Sequence, residues 1–129
     1  MLQSLNLISV LRYLAGILIA VHGLHRIFFL KQDADYVSQT YEYLFPFESL
    51  FQALIVIFPF AEFFIGSLLF LKIATKEAIK LSIWLTLIIL FFLIQQGFSS
   101  HIVYHLLTLV ILFVLSRARK TTLVTNAEL

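Results

Sequence analysis

Five polar side chains interrupt apolar sequence at helical spacings and could carry acid–base or metal chemistry. His22, His25 and Arg26 end the first apolar run at i, i+3 and i+4, whereas His101 and His105 open the last one at i and i+4. Each set therefore projects from one face of its helix. Histidine titrates near neutral pH and binds metals through its ring nitrogens, so these faces could exchange protons or hold an ion.

Glu62 stands in the middle of the second apolar run. An ionised carboxylate at that depth costs several kcal/mol unless it finds a partner, a proton or water. At about 1.5 Å per residue, Glu62 lies ~16 Å deep, His22 ~10 Å deep and His105 ~6 Å below the start of the last run. These three residues are our candidates for ligand binding or proton relay, and no catalytic residue is assigned. The carboxylate is expected to pair with His22, His105 or Arg12, and a neutral or paired Glu62 that only joins helices is the alternative.

Other polar residues at a similar level form a secondary group. His25 and Arg26 lie close enough to the helix end for their polar tips to reach water. An interfacial histidine can also bond to backbone or headgroups and have no further role. The secondary candidates are His25, Arg26, Gln95, Gln96 and His101.

Four apolar runs supply the elements that position these residues. The chain of 129 residues is 61% hydrophobic and 12% charged, far from the composition of a soluble domain. A bilayer core needs roughly 20 helical residues. The runs that can cross it cover about 7–30, 49–73, 79–98 and 101–116. Because the second and third connections are short, we predict an all-α membrane four-helix bundle, up-down-up-down, in a single domain 1–129 with a short charged tail at 117–129.

The one long connection, residues 31–49, predicts a short helix or loop at the membrane interface. Asp33 or Asp35 could cap a helix in which Val37, Tyr41 and Leu44 share one face. The aromatic residues of this segment suit the interface, where amphipathic rings are favoured. A surface loop that only anchors the bundle is the simpler alternative.

Small residues on the first helix indicate a packing face. Gly16, Ala20 and Gly23 occur at spacings that let a neighbouring backbone approach closely. Because Gly23 directly follows His22, we expect His22 to lie beside this contact and to point into the bundle.

Charge and composition restrict the class of protein. Seven of the nine basic residues fall at the two termini and the second connection, so the positive-inside tendency places both termini in the cytoplasm of, we expect, a bacterial inner membrane. Basic residues that mark segment ends do not indicate a nucleic-acid partner. The absence of cysteine excludes disulfides, iron–sulfur clusters and thiolate metal sites. The leader lacks a positive n-region, so the first helix is expected to be retained.

Two segments resemble the DoxX-like family of small four-helix membrane proteins. They are LRYLAGILIAVHGLHRI in the first helix and FAEFFIGSLLFL in the second, and the likeness extends over about residues 8–116. The matching positions are Arg12, Gly16, His22, Gly23, Arg26, Glu62 and Gly66, of which Gly66 joins the expected helix-packing residues. The family usually has a further glycine near the end of helix two, where this chain has LFLKIATK.

The resemblance implies a helical bundle and a loose functional class. Some relatives are the membrane subunit of thiosulfate:quinone oxidoreductase, some are linked to oxidative-stress or thiol-redox complexes, and others assist assembly of membrane proteins without chemistry. A shared fold does not determine which of these functions a protein has.

The polar residues and the resemblance together predict a subunit of a redox or respiratory, quinone-linked complex. Its polar pocket would lie in the outer half of the bundle, and its partners would be the lipid bilayer and other membrane subunits. The alternative is a non-catalytic scaffold, assembly or accessory subunit, so enzymatic activity stays open. No cofactor is assigned, although quinone is a candidate and a bis-histidine haem between His22 and His105 is a further one. A metal site from the four histidines is also conceivable, but we expect no resident metal, because Glu62 is counted too deep to reach His25 and His101.

Overall fold

Five helices and no strand are present in the part of the chain that the computed structural model describes, residues 2–41, 48–95 and 100–127. They are α1 (Leu2–Phe28), α2 (Leu30–Tyr41), α3 (Glu48–Phe70), α4 (Thr75–Gln95) and α5 (Ser100–Ala127). Stretches rich in leucine, isoleucine and phenylalanine form helices in an apolar setting because a helix bonds its own backbone groups internally. The predicted all-α four-helix bundle is confirmed.

Four of these helices are long and apolar enough to cross a membrane. The spans are Leu7–Phe28, Ala53–Phe70, Thr75–Ile94 and His101–Ala118. Large apolar side chains face outward along all four, as on Trp84, which is 67% exposed. Lipid is the solvent that such a surface suits, so the architecture is consistent with an integral membrane protein.

Several helix boundaries differ from the sequence prediction. α1 begins at Leu2 instead of residue 7, α4 at Thr75 instead of 79, and α5 runs to Ala127 instead of ending near 116. The predicted ends follow the apolar runs, whereas lysine, arginine and glutamate, which are good helix formers, continue α4 and α5 beyond those runs. The predicted charged tail is therefore helical up to Ala127.

α2 is the short helix expected between the first two spans. It starts at Leu30, so Asp33 and Asp35 lie inside the helix and the prediction that one of them caps it is wrong. Leu44, placed on the same predicted face, falls outside the described residues.

The bundle is square, because α1 and α4 each pack against both α3 and α5 and face each other across the diagonal. Buried apolar side chains from all four helices form a layer nearer the chain termini, called here the apolar layer: Ala15, Leu69, Ile79 and Leu112. Seven residues farther along each helix, towards α2, stand the four members of what we call the polar layer: His22, Glu62, Thr86 and His105. Seven residues are two helical turns, so the polar layer lies about 10 Å from the apolar layer.

Glycines bring the backbones of α1 and α3 into direct contact. A Cβ atom on Gly16 would lie 2.6 Å from the Phe70 nitrogen, and one on Gly23 would lie 2.5 Å from the Phe63 nitrogen. A Cβ on Gly66 would meet the backbone of Ala20. Small residues permit such close helix crossings, and van der Waals packing is the main attraction between helices in lipid. The α1–α3 contact therefore sets the distance at which side chains of the polar layer meet.

Replacing Gly66 tests this contact. In Gly66→Leu, the new side chain faces backbone atoms that cannot rotate away, so α1 and α3 must separate. We expect a loss of about 3 kcal/mol in unfolding free energy, measured by titrating the purified protein from mild detergent into SDS. Ala53→Leu, an exposed site on the same helix, should leave stability nearly unchanged. Equal unfolding midpoints for the two variants would contradict the contact.

Candidate functional site

Glu62 is buried in the bundle and is held by two side chains of α1. It is 4% exposed. Its Oε2 atom lies 3.2 Å from Nη1 of Arg26 and 3.3 Å from Nδ1 of His22. Because Gly23 has no side chain, the α3 backbone rests against α1 between His22 and Arg26, and the carboxylate reaches both. The buried charge therefore has a cationic partner inside the span.

Arg26 does not behave as the sequence suggested. The sequence predicts that its polar tip reaches water at the helix end, but its side chain is only 18% exposed and donates a hydrogen bond to Glu62. The counted depths are also wrong, since Glu62 was placed ~6 Å deeper than His22 and the two side chains are in contact. Depths counted from the ends of apolar runs ignore where α3 crosses α1.

Arg12, a predicted partner of Glu62, serves another part of the fold. Its Nη1 atom donates hydrogen bonds to the carbonyl oxygens of Leu69 and Phe70, the latter at 3.1 Å, and its guanidinium lies over the Tyr13 ring. A cation is favourable at the C-terminus of a helix, where carbonyls lack partners. Arg12 therefore caps α3 and takes no part in the Glu62 site.

α5 encloses the other side of His22. The His105 ring, 4% exposed, meets the His22 ring edge to face with 5.0 Å between centroids. The Tyr104 ring stacks on His22 at 4.9 Å, and its hydroxyl donates to the Leu18 carbonyl oxygen at 2.7 Å. The imidazole of His22 is thereby held between the carboxylate on α3 and two rings on α5.

A small cavity of about 10 Å³ lies inside this group. That is the scale of one water molecule. It is lined from all four long helices by Ile19, His22, Glu62, Ser82, Leu85, Thr86, Tyr104, His105 and Thr108. The Ser82 Oγ atom is buried there without a hydrogen-bond partner among the described residues. An unsatisfied buried hydroxyl costs free energy, so this position favours a polar occupant.

Sequence reasoning missed Tyr104, Ser82, Thr86 and Thr108. The available signal was weak: Ser82 and Thr86 occur at i and i+4 in an apolar helix, and Thr108 lies one turn after Tyr104. Thr108 donates its hydroxyl to the Tyr104 carbonyl oxygen at 3.0 Å, a bond that hydroxyls in apolar helices commonly make. Nothing in the spacing alone shows which hydroxyls face a cavity.

The structure brings His22, Glu62 and His105 together and leaves the secondary histidines apart. One nitrogen or oxygen from each of the three lies within 4.8 Å of the others, and no further such group of three occurs among the described residues. His25 is exposed with its ring 4.7 Å from that of Phe29, and His101 is exposed at the start of its span. Gln95 ends α4, and Gln96 lies outside the described residues.

The geometry does not suit a haem between His22 and His105. Two axial imidazoles must stand on opposite faces of a porphyrin, whereas these rings touch edge to face with their centroids 5.0 Å apart. A cavity of about 10 Å³ cannot hold the macrocycle. A proton-exchanging group or a single small ion fits the space that is present.

No protein-family model, curated protein or solved structure matches this chain. The resemblance to DoxX-like proteins therefore stays a prediction.

Removing the cation beside Glu62 tests the buried pair. In Arg26→Met the carboxylate stays buried and keeps only its contact with His22, so we expect a loss on the order of 3 kcal/mol in unfolding free energy. The double variant Arg26→Met/Glu62→Leu should regain most of that loss, because neither charge remains. SDS titration of the wild type, both single variants and the double variant gives the coupling free energy. Lys31→Met, which removes an exposed cation, is the control, and strictly additive losses would contradict the pairing.

Proposed function

We propose that this chain is the membrane subunit of a quinone-linked redox assembly, in which His22, paired with Glu62, takes up protons from a quinol headgroup. The supporting observation is a buried carboxylate whose two partners are partly accessible. Glu62 is 4% exposed, whereas the side chains of His22 and Arg26 are 21% and 18% exposed. A molecule at the bundle surface can therefore reach the carboxylate through His22.

The cavity is too small for a quinone headgroup, which would therefore bind outside the bundle. A space of about 10 Å³ excludes a quinone ring, so the ring would lie in the lipid against the accessible parts of His22 and Arg26. Arg26 can donate a hydrogen bond to a quinone oxygen while it keeps its hydrogen bond to Glu62. An apolar substrate would then reach the site through the lipid bilayer.

Proton transfer follows the order of the contacts. His22 accepts a hydroxyl proton from the quinol and becomes an imidazolium, which the adjacent Glu62 carboxylate stabilises. His22 then releases the proton to water at the α2 end of the bundle and accepts the second one. The two electrons pass singly to an acceptor on a partner subunit, and the quinol leaves as a quinone. The proposal therefore includes at least one partner in the membrane.

The arrangement of basic residues supports an orientation for this subunit. Seven of the nine lie towards the termini and the α3–α4 connection, which favours cytoplasmic termini in a bacterial inner membrane. The polar layer then lies in the outer half of the bilayer, and quinol protons would leave on the outer side. The similarity of the α1 and α3 motifs to DoxX-like proteins supports the same functional class.

Photolabelling with an azido-quinone in lipid nanodiscs tests the proposal. We expect labelled peptides from α1 around His22, and about a tenfold loss of labelling in His22→Ala, since a lost hydrogen bond of about 1.4 kcal/mol corresponds to that factor. His101→Ala removes an exposed histidine that lies apart from the site and is the matched control. Labelling that is absent from wild type, or equal in the two variants, would contradict quinone binding at His22.

A further inference from the structure

The polar layer also carries a set of possible metal ligands, in which His105 joins His22 and Glu62 of the proposed proton exchange. His22, Glu62 and His105 come from three different helices, and their donor atoms lie within 4.8 Å of one another. We infer that these three side chains bind one divalent first-row transition metal ion. This inference rests on the donor atoms and the Ser82 hydroxyl and not on the proposed function, and metal uptake and quinone labelling are measured separately.

The residue types match a known coordination chemistry. Two imidazoles and one carboxylate hold zinc in many catalytic sites, and the same set with open positions holds iron(II). Metal–ligand bonds of about 2.0–2.1 Å place tetrahedral donors about 3.4 Å apart. His22 Nδ1 and Glu62 Oε2 already stand 3.3 Å apart. Movement of the His105 ring by about an ångström would bring its nitrogen to the same spacing, and a side-chain rotation can supply that movement.

Ser82 gives a second, independent observation that a polar occupant belongs here. Its side chain is on α4, it is 1% exposed, and its Oγ atom has no hydrogen-bond partner among the described residues. It lines the same cavity as the three ligands. A water molecule on the open position of the ion would fill the cavity, on the scale of one water, and would bond to the Ser82 hydroxyl.

The neighbouring cation determines how tightly the ion binds. Arg26 lies 3.2 Å from Glu62, so a divalent ion on the same carboxylate would experience repulsion at short range in a medium of low dielectric. Deprotonation of the metal-bound water offsets part of this charge. The site should therefore bind more weakly than one without an arginine, and removal of Arg26 should strengthen it.

The sequence prediction of no resident metal depended on the distance from Glu62 to His25 and His101. Those two histidines do lie outside the group of three donors. The prediction did not consider His22 and His105 with Glu62 as a metal-binding set. The structure brings these three side chains together, so a metal site no longer requires His25 or His101.

Cobalt titration tests the metal site. The full chain is purified in detergent with an affinity tag that contains no histidine, treated with chelator, and titrated with Co²⁺ while visible absorption is recorded. Zinc uptake is measured in parallel by elemental analysis. We expect about one ion per chain in the wild type and at least a tenfold loss of affinity in Glu62→Gln and His105→Ala. His25→Ala and His101→Ala are matched controls that should retain the ion.

Two further variants separate coordination from folding. Arg26→Gln should bind Co²⁺ at least about tenfold more tightly, since it removes a repulsive charge beside the ion. Ser82→Ala should keep the stoichiometry and change the cobalt absorption bands, because it alters the partner of the bound water. Circular dichroism checks the fold of every variant, and His22→Gln replaces His105→Ala if the latter does not fold. Wild type that takes up no stoichiometric ion, or controls that lose it equally, would overturn the inference.

Discussion

A carboxylate in the apolar interior of a membrane bundle is stable only with a compensating partner, and the polar layer is arranged around that requirement at Glu62. Leaving the charge unpaired costs several kcal/mol, a large fraction of the stability of a small protein. Arg26 supplies the opposite charge and His22 supplies a second polar contact. His105 on α5 packs against the ring of His22. Two turns away, the apolar layer consists of alanine, leucine and isoleucine. The carboxylate and the histidines around it are thus confined to one part of the bundle core, where every long helix contributes to the cavity wall.

The close crossing of α1 and α3 makes this confinement possible. Gly16 and Gly23 direct one face of α1 against α3. At 100° per residue, Arg12 and Arg26 fall near the same face, so one guanidinium meets the C-terminal carbonyls of α3 and the other meets Glu62. His22, one residue before Gly23, is rotated towards α5 and meets Tyr104 and His105. The glycines therefore set both the distance between the helices and the rotation of the polar side chains.

Much of the architecture could be predicted from the sequence, because hydropathy and connection length leave few alternatives to an antiparallel bundle. The small-residue stripe on α1 and the inward position of His22 follow from the order of residues around Gly23. Helix rotation about its own axis did not follow, since it depends on packing against residues distant in the chain. For that reason the sequence predicts that Arg26 reaches water, whereas in the structure it bonds to Glu62. Likewise, the sequence offers Arg12 as a partner of Glu62, whereas in the structure Arg12 caps α3. Ser82 and Tyr104 were missed for the same cause, because only the assembled bundle shows which side chains line the cavity.

The convergence of α1 and α5 at His22 and His105 is the central claim, and cysteine cross-linking in lipid tests it most directly. The natural chain contains no cysteine, so the double variant His22→Cys/His105→Cys has no background thiols. After treatment with a short bifunctional thiol reagent, trypsin cuts at Lys72 and Lys76 separate α1 from α5 unless a bridge joins them. We expect this pair to stay joined and His22→Cys/Trp84→Cys, whose second site faces outward on the diagonal helix, to separate. Separation of the first pair, or equal joining of both, would contradict the account.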